Sequence, residues 1–283
     1  MENTTQIRKF PSIFDMATLL LLFFVSQIVF GFILKAFGIV PPTTSVVDTV
    51  DTETYMSEQI ALGQYTALIY PLSMLLSIAS IWLYVRFRSG KGAIRIRHSA
   101  RGLNPAIVLV GVLWLLSAQI VLEPLMSILP PSESRGLGRG AWACFTAVAS
   151  SAVLEEVLCR GLIFETFRKR WGIKTSILFS SLFFGLIHLD VATMVVAVVA
   201  GIIFGVIYVR TASLYTTIII HAINNAMAFA LICFGVGDIS LREIIGDGVP
   251  YYVAYGVALT LFLAASIEAY LTVFRQNNKT QAQ

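Results

Sequence analysis

Long runs of apolar residues alternate along the chain with short polar stretches. The hydrocarbon core of a bilayer is about 30 Å thick, so a helix that crosses it needs roughly 20 predominantly apolar residues. The runs that approach this length cover residues 13–37, 60–85, 105–129, 141–164, 175–189, 193–209, 212–234 and 250–274. This pattern predicts an all-α, polytopic membrane protein with about eight transmembrane helices, built as a single integral membrane domain over residues 1–283.

The composition supports a membrane location. Hydrophobic residues make up 57% of the chain and charged residues 13%, whereas soluble domains carry about 25% charged residues. We therefore expect a multi-pass protein of the cell membrane (plasma or inner membrane), with the lipid bilayer as its surroundings. We expect no nucleic-acid partner, and the sequence predicts no particular oligomeric state.

The basic residues are distributed unevenly between the polar stretches. Most of the 20 Lys and Arg residues precede the first apolar run or follow the second, fourth, sixth and eighth, while the alternate stretches are mainly acidic. Cytoplasmic loops of membrane proteins carry an excess of Lys and Arg. This bias places both termini in the cytoplasm.

A few polar side chains interrupt the apolar runs. Glu155, Glu156 and Arg160 lie in the fourth run, His188 lies near the end of the fifth, and His221 lies in the seventh. Ionisable groups inside a membrane are costly, so a functional site is the default interpretation. With a rise of 1.5 Å per residue, Glu155 and His221 both lie about 15 Å from the cytoplasmic ends of their helices, which makes a shared site possible.

Helical spacing predicts how these side chains relate to one another. Residues four apart share a helix face, so Glu156 can pair with Arg160. Glu155 points about 100° away and is expected to be free to face a cavity. His221 and Asn225 are also four apart and can address one point together.

These groups suit two kinds of chemistry. A buried carboxylate can take a proton from water, two imidazoles can bind a metal or polarise a carbonyl, and an asparagine amide can donate to an oxyanion. Together they are the parts of a peptide-bond hydrolase, but they also suit a proton- or ion-coupled transporter. The halves of the chain show no repeat symmetry, which counts against the transporter.

Three motifs occur in order along the chain: Glu155-Glu156-x-x-x-Arg160, Phe184-x-x-x-His188 and His221-x-x-x-Asn225. This series resembles the CAAX-protease and bacteriocin-processing family (CPBP, also called Abi), which includes the Ras-converting CAAX endopeptidase. The resemblance implies an intramembrane endopeptidase that is open to the cytoplasm, with a catalytic core over residues 140–235. Its expected substrate is a membrane-associated peptide or protein, processed in the manner of a CAAX tail, a bacteriocin or a pheromone.

The resemblance also implies a role for each motif residue. Glu155 would activate water, Glu156 and Arg160 would support it, His188 and His221 would hold the water or a metal, and Asn225 would stabilise the oxyanion. A competing assignment places Zn²⁺ on His188, His221 and Glu155, with Glu156 as the base. Some members of the family are associated with bacteriocin immunity or act as scaffolds, so a non-catalytic immunity or partner-binding protein is a further alternative.

Overall fold

The structure is a computed structural model that describes residues 10–45, 51–89, 96, 97, 99, 102–130, 138–237 and 239–275. Over these residues it is helical and contains no strand, which confirms the predicted all-α fold. The helices are α1 (Ile13–Ala36), α2 (Thr52–Ser89), α3 (Pro105–Met126), α4 (Gly140–Cys144), α5 (Ser151–Glu156), α6 (Glu165–Leu186), α7 (Val191–Thr211), α8 (Leu214–Cys233), α9 (Leu241–Ile245) and α10 (Val249–Ala269). Three π-helical segments adjoin them: Phe145–Ser150, Val157–Phe164 and Tyr270–Arg275.

Six helices in the described part of the chain are long and apolar enough to cross a membrane. They are Ile13–Ala36, Thr52–Ser89, Pro105–Met126, Val191–Thr211, Leu214–Cys233 and Val249–Val273. The multi-pass membrane prediction is thereby confirmed. The cytoplasmic location of the termini stays a prediction, because residues 1–9 and 276–283 lie outside the described part.

Two predicted boundaries were wrong. The second helix begins at Thr52 rather than residue 60, because the Asp51 carboxylate accepts a hydrogen bond from the Thr54 amide (2.9 Å) and so satisfies the first turn. The fourth run does not end at residue 164. Its helix continues through the basic residues after Glu165 and breaks at Gly172, where φ is 76° and glycine is the residue that tolerates the left-handed region.

Between Gly140 and Glu165 the helix switches twice from α-helical to π-helical winding and back. The α-helical piece α5 lies between two π-helical segments, Phe145–Ser150 and Val157–Phe164. Short π segments inside helices are rare and occur frequently at functional sites. Here they flank Glu155 and Glu156, and Arg160 lies within the second of them.

Small residues bring α6 and α7 into close contact. A Cβ atom on Gly201 would lie only 2.9 Å from the Cα of Ser181, and one on Gly205 would lie 3.1 Å from Ile177 Cγ2. Small residues at helix interfaces of membrane proteins let the backbones approach closely. This approach fixes the backbone of α7 against the part of α6 that follows the break at Gly172.

We therefore predict that Gly201→Ala destabilises the protein by about 1–3 kcal/mol, because the added methyl group overpacks a contact with backbone. Thermal unfolding of the purified protein in detergent measures the effect. Gly31→Ala is the matched control, since Gly31 is an exposed glycine of α1 and an added methyl group there would meet nothing within 4 Å. Equal melting temperatures for the two variants would contradict the close α6–α7 contact.

Candidate active site

Glu156 and Arg160 form a fully buried ion pair. The Arg160 Nη1 atom donates to Glu156 Oε1 over 2.7 Å, and both side chains have 0% exposure. This is the pairing that their spacing predicted. A buried charge that has no partner is strongly unfavourable, so each of the two side chains requires the other.

Arg160 also reaches the helices on either side of it. Its Nη2 atom donates to the carbonyl oxygen of Gly201 over 2.8 Å. Its guanidinium carbon lies 5.0 Å from the ring centre of Phe184 and 5.1 Å from that of Phe204. Contacts of a guanidinium with aromatic rings are favourable when the charge is desolvated. Arg160 therefore fixes its own segment against α6 and α7 at the same point.

His221 lies between the two glutamates. Its Nδ1 atom is 3.3 Å from Glu156 Oε1, and its Nε2 atom is 3.7 Å from Glu155 Oε2. The imidazole stacks on Phe204 (5.0 Å between ring centres, 27° between planes) and meets Phe184 at its edge (5.7 Å). The second of these polar distances exceeds that of a direct hydrogen bond. His221 and Glu155 therefore face each other without bonding directly.

Three buried polar atoms of this cluster have no hydrogen-bond partner within the described part of the chain: Glu156 Oε2, Arg160 Nε and His221 Nδ1. Although His221 Nδ1 lies close enough to Glu156 for an ion pair, the geometry is not that of a hydrogen bond. Buried polar atoms are nearly always satisfied, so such exceptions need an explanation. Their concentration in one cluster is typical of a functional site rather than of structural packing.

The helical spacing had suggested that the Glu155 carboxylate is free to face a cavity. In the structure this carboxylate accepts a hydrogen bond. The hydroxyl group of Tyr70 in α2 donates to Glu155 Oε1 over 2.5 Å. Sequence reasoning missed Tyr70. The only available signal was a polar ring tip in the middle of an apolar run, next to Pro71, and nothing in the spacing connects it with Glu155.

His188 contacts Phe184, the same aromatic ring that His221 contacts. Its Nδ1 atom is 2.7 Å from the carbonyl oxygen of Phe184, and its half-buried ring meets the Phe184 ring edge-on at 5.0 Å. Phe184 also contacts His221. The two imidazoles are therefore neighbours of one phenylalanine.

Asn225 bonds to a neighbouring helix. Its Nδ2 atom donates to the Ala147 carbonyl oxygen (2.9 Å) and to Ser151 Oγ (3.1 Å). Polar side chains in membrane helices commonly form such links between helices. The prediction that Asn225 and His221 address one point does not describe this arrangement, because the carboxamide nitrogen is engaged with the segment that leads into α5.

The predicted zinc ligands were His188, His221 and Glu155. Among the described residues, no group of three or more His, Cys, Asp or Glu side chains is arranged to hold a metal ion. A zinc site needs ligand atoms that converge within about 2.0–2.2 Å of one point, and these residues do not fit that requirement as placed. The zinc assignment stays a prediction.

We predict that Arg160→Met destabilises the protein by about 3–5 kcal/mol, because it leaves the Glu156 carboxylate buried without its partner. The double variant Glu156→Gln/Arg160→Met should recover most of that loss, since it removes both charges. Thermal unfolding in detergent of the two single variants and the double variant measures the coupling. If the losses of the single variants simply add in the double variant, the pair is not the interaction described above.

The comparison with protein families agrees with the motif series. Residues 138–227 match the family model described as "Type II CAAX prenyl endopeptidase Rce1-like". No curated protein and no solved structure matches the chain significantly. The matched residues contain all three motifs, and the match supports CAAX-type intramembrane endopeptidase activity. The match of residues 138–227 to an Rce1-like domain therefore supports the resemblance to the CAAX-protease and bacteriocin-processing family.

Proposed function

We propose that the protein is an intramembrane endopeptidase that hydrolyses a membrane-associated peptide or protein with a water molecule activated by Glu155. The observation that carries this proposal is the placement of His221 between two glutamates, with its Nε2 atom 3.7 Å from Glu155 Oε2. That separation leaves the carboxylate and the imidazole close enough to contact the same water molecule. The substrate would be of CAAX, bacteriocin or pheromone type.

The hydrogen-bond roles follow from the partners of His221. We assign the proton of the neutral ring to Nδ1, because this nitrogen faces the Glu156 carboxylate at 3.3 Å, although the geometry is not that of a hydrogen bond. Nε2 is then an acceptor, as is the Glu155 carboxylate. A water molecule beside both can donate one hydrogen to each, which orients its lone pairs toward an incoming carbonyl carbon.

The chemical step is then a general-base attack. The water oxygen bonds to the scissile carbonyl carbon while its proton passes to Glu155. The tetrahedral intermediate collapses when the carbon–nitrogen bond breaks, and Glu155 returns the proton to the leaving amine. Glu156 keeps His221 in the required orientation, and Arg160 balances the charge of Glu156.

The roles proposed for His188 and Asn225 differ. The Nδ1 atom of His188 donates to the Phe184 carbonyl oxygen, so the Nε2 atom of the neutral ring is an acceptor that can help to hold water. The carboxamide of Asn225 is bonded to Ala147 and Ser151. We therefore assign to Asn225 the positioning of the helix segment that leads to Glu155, in place of oxyanion binding.

We predict that Glu155→Gln lowers the cleavage of a membrane-presented peptide library by about 10²-fold or more, because the amide cannot accept the proton from water. The melting temperature should change little. Glu53→Gln, in the exposed first turn of α2, is the matched control and should keep full activity. Full activity in Glu155→Gln would exclude Glu155 as the base.

The same preparation distinguishes the alternatives. Ion flux in sealed vesicles without any peptide cleavage would favour the transporter. Protection against a bacteriocin that survives Glu155→Gln would favour the non-catalytic immunity protein.

For the metal question, we propose a metal-free mechanism, supported by the arrangement of the described residues, in which no three His, Cys, Asp or Glu side chains are grouped to hold a metal ion. Cleavage should therefore persist after treatment with 1,10-phenanthroline, and elemental analysis should find zinc far below one ion per chain. Stoichiometric zinc, with activity lost on chelation and regained on addition of zinc, would contradict this proposal.

A further inference from the structure

We propose that Tyr70 is a positioning residue that holds Glu155 in its reactive orientation, and that α2 is thereby part of the active site. This inference rests on the proposed function. Tyr70 lies outside residues 138–227, which match the family model. The inference therefore assigns a role in the reaction to a part of the chain that the family match does not reach.

The two oxygens of Glu155 have different neighbours. Oε1 accepts the hydrogen bond of the Tyr70 hydroxyl group at 2.5 Å, and Oε2 faces His221 Nε2 at 3.7 Å. A hydroxyl group that donates to a carboxylate makes a short and strong hydrogen bond. Because this bond fixes Oε1, the plane of the carboxylate and the position of Oε2 are fixed as well.

Close packing earlier in α2 places Tyr70 beside Glu155. Gly63 lies two helical turns before Tyr70, on the same face of α2. A Cβ atom on Gly63 would lie 2.6 Å from the Arg139 carbonyl oxygen and 3.1 Å from the Cβ of Ala143. The Arg139 amide also donates to the carbonyl oxygen of Gln59 over 2.9 Å. These contacts at the start of α4 therefore pack α2 closely against the helix that leads to Glu155.

The residue after Tyr70 adds a second constraint. Pro71 is inside α2 and has no amide hydrogen to donate to the preceding turn, so it marks a point where a helix can bend. The Ser73 hydroxyl group donates to the Tyr70 carbonyl oxygen over 3.0 Å and supplies a local hydrogen bond there. The position of the Tyr70 side chain thus depends both on the close packing at Gly63 and on the local helix geometry at Pro71.

The test removes only the phenolic oxygen. In Tyr70→Phe we expect kcat to fall about 10- to 100-fold, the range that corresponds to the loss of a hydrogen bond to a charged group. KM should change less than twofold, because Tyr70 contacts the carboxylate and not the peptide. Tyr65→Phe makes the same substitution in the same helix, at another half-buried tyrosine, and should leave kcat unchanged. Melting temperatures of both variants should stay near that of the original protein.

A second measurement does not depend on cleavage. Dicyclohexylcarbodiimide modifies carboxyl groups in apolar surroundings, and mass spectrometry of the peptide that contains Glu155 reports the rate. Tyr70→Phe uncovers Oε1, so we expect Glu155 to be labelled several-fold faster in this variant than in the original protein or in Tyr65→Phe.

The outcomes separate the two proposals. If the original protein cleaves nothing but the labelling rate still rises in Tyr70→Phe, the proposed function fails while the hold of Tyr70 on Glu155 stands. If cleavage occurs but Tyr70→Phe keeps kcat and the labelling rate unchanged, the role of Tyr70 is overturned and the proposed function stands. A fall in kcat that merely follows a lower melting temperature would also overturn the positioning role.

Discussion

The buried charge of Glu156 is the constraint on which the rest of the site depends. A carboxylate with 0% exposure inside an apolar bundle requires a cation in contact with it, and Arg160 is that cation. The guanidinium has further N–H donors and a flat face that can pack on aromatic rings. It donates to the Gly201 carbonyl oxygen and lies against the rings of Phe184 and Phe204. One ion pair therefore determines how the helix that carries it meets α6 and α7.

The orientation of His221 follows from the same constraint. Phe204 contacts the Arg160 guanidinium and also stacks on the imidazole, and Glu156 faces Nδ1. With one face and one nitrogen of the ring determined, Nε2 must point toward Glu155. The close approach of α7 at Gly201 matters here as well, because Phe204 lies one turn further along the same helix.

The sequence was sufficient for the fold class and for the Glu156–Arg160 pair. Both follow from rules that act within one segment: the apolar length that a membrane requires and the i, i+4 spacing of a helix. It was insufficient for helix ends that depend on a cap or on a glycine, as at Asp51 and Gly172. It was also insufficient for contacts between distant segments. The Tyr70–Glu155 bond joins residues 85 positions apart, and no local periodicity encodes it.

The charges of the cluster give a physical reason why the adjacent residues Glu155 and Glu156 have different roles. With both carboxylates ionised, Arg160 compensates the charge of Glu156, whereas Glu155 has the neutral hydroxyl group of Tyr70 and the imidazole of His221 beside it. Among the described residues of the cluster, transfer of a proton from water to Glu155 therefore neutralises a negative charge that no Lys or Arg pairs with. The same transfer to the fully buried Glu156 would leave the charge of Arg160 uncompensated. Neighbours in the sequence thus have different roles: Glu156 keeps its charge to maintain the structure, and Glu155 gives up its charge during the reaction.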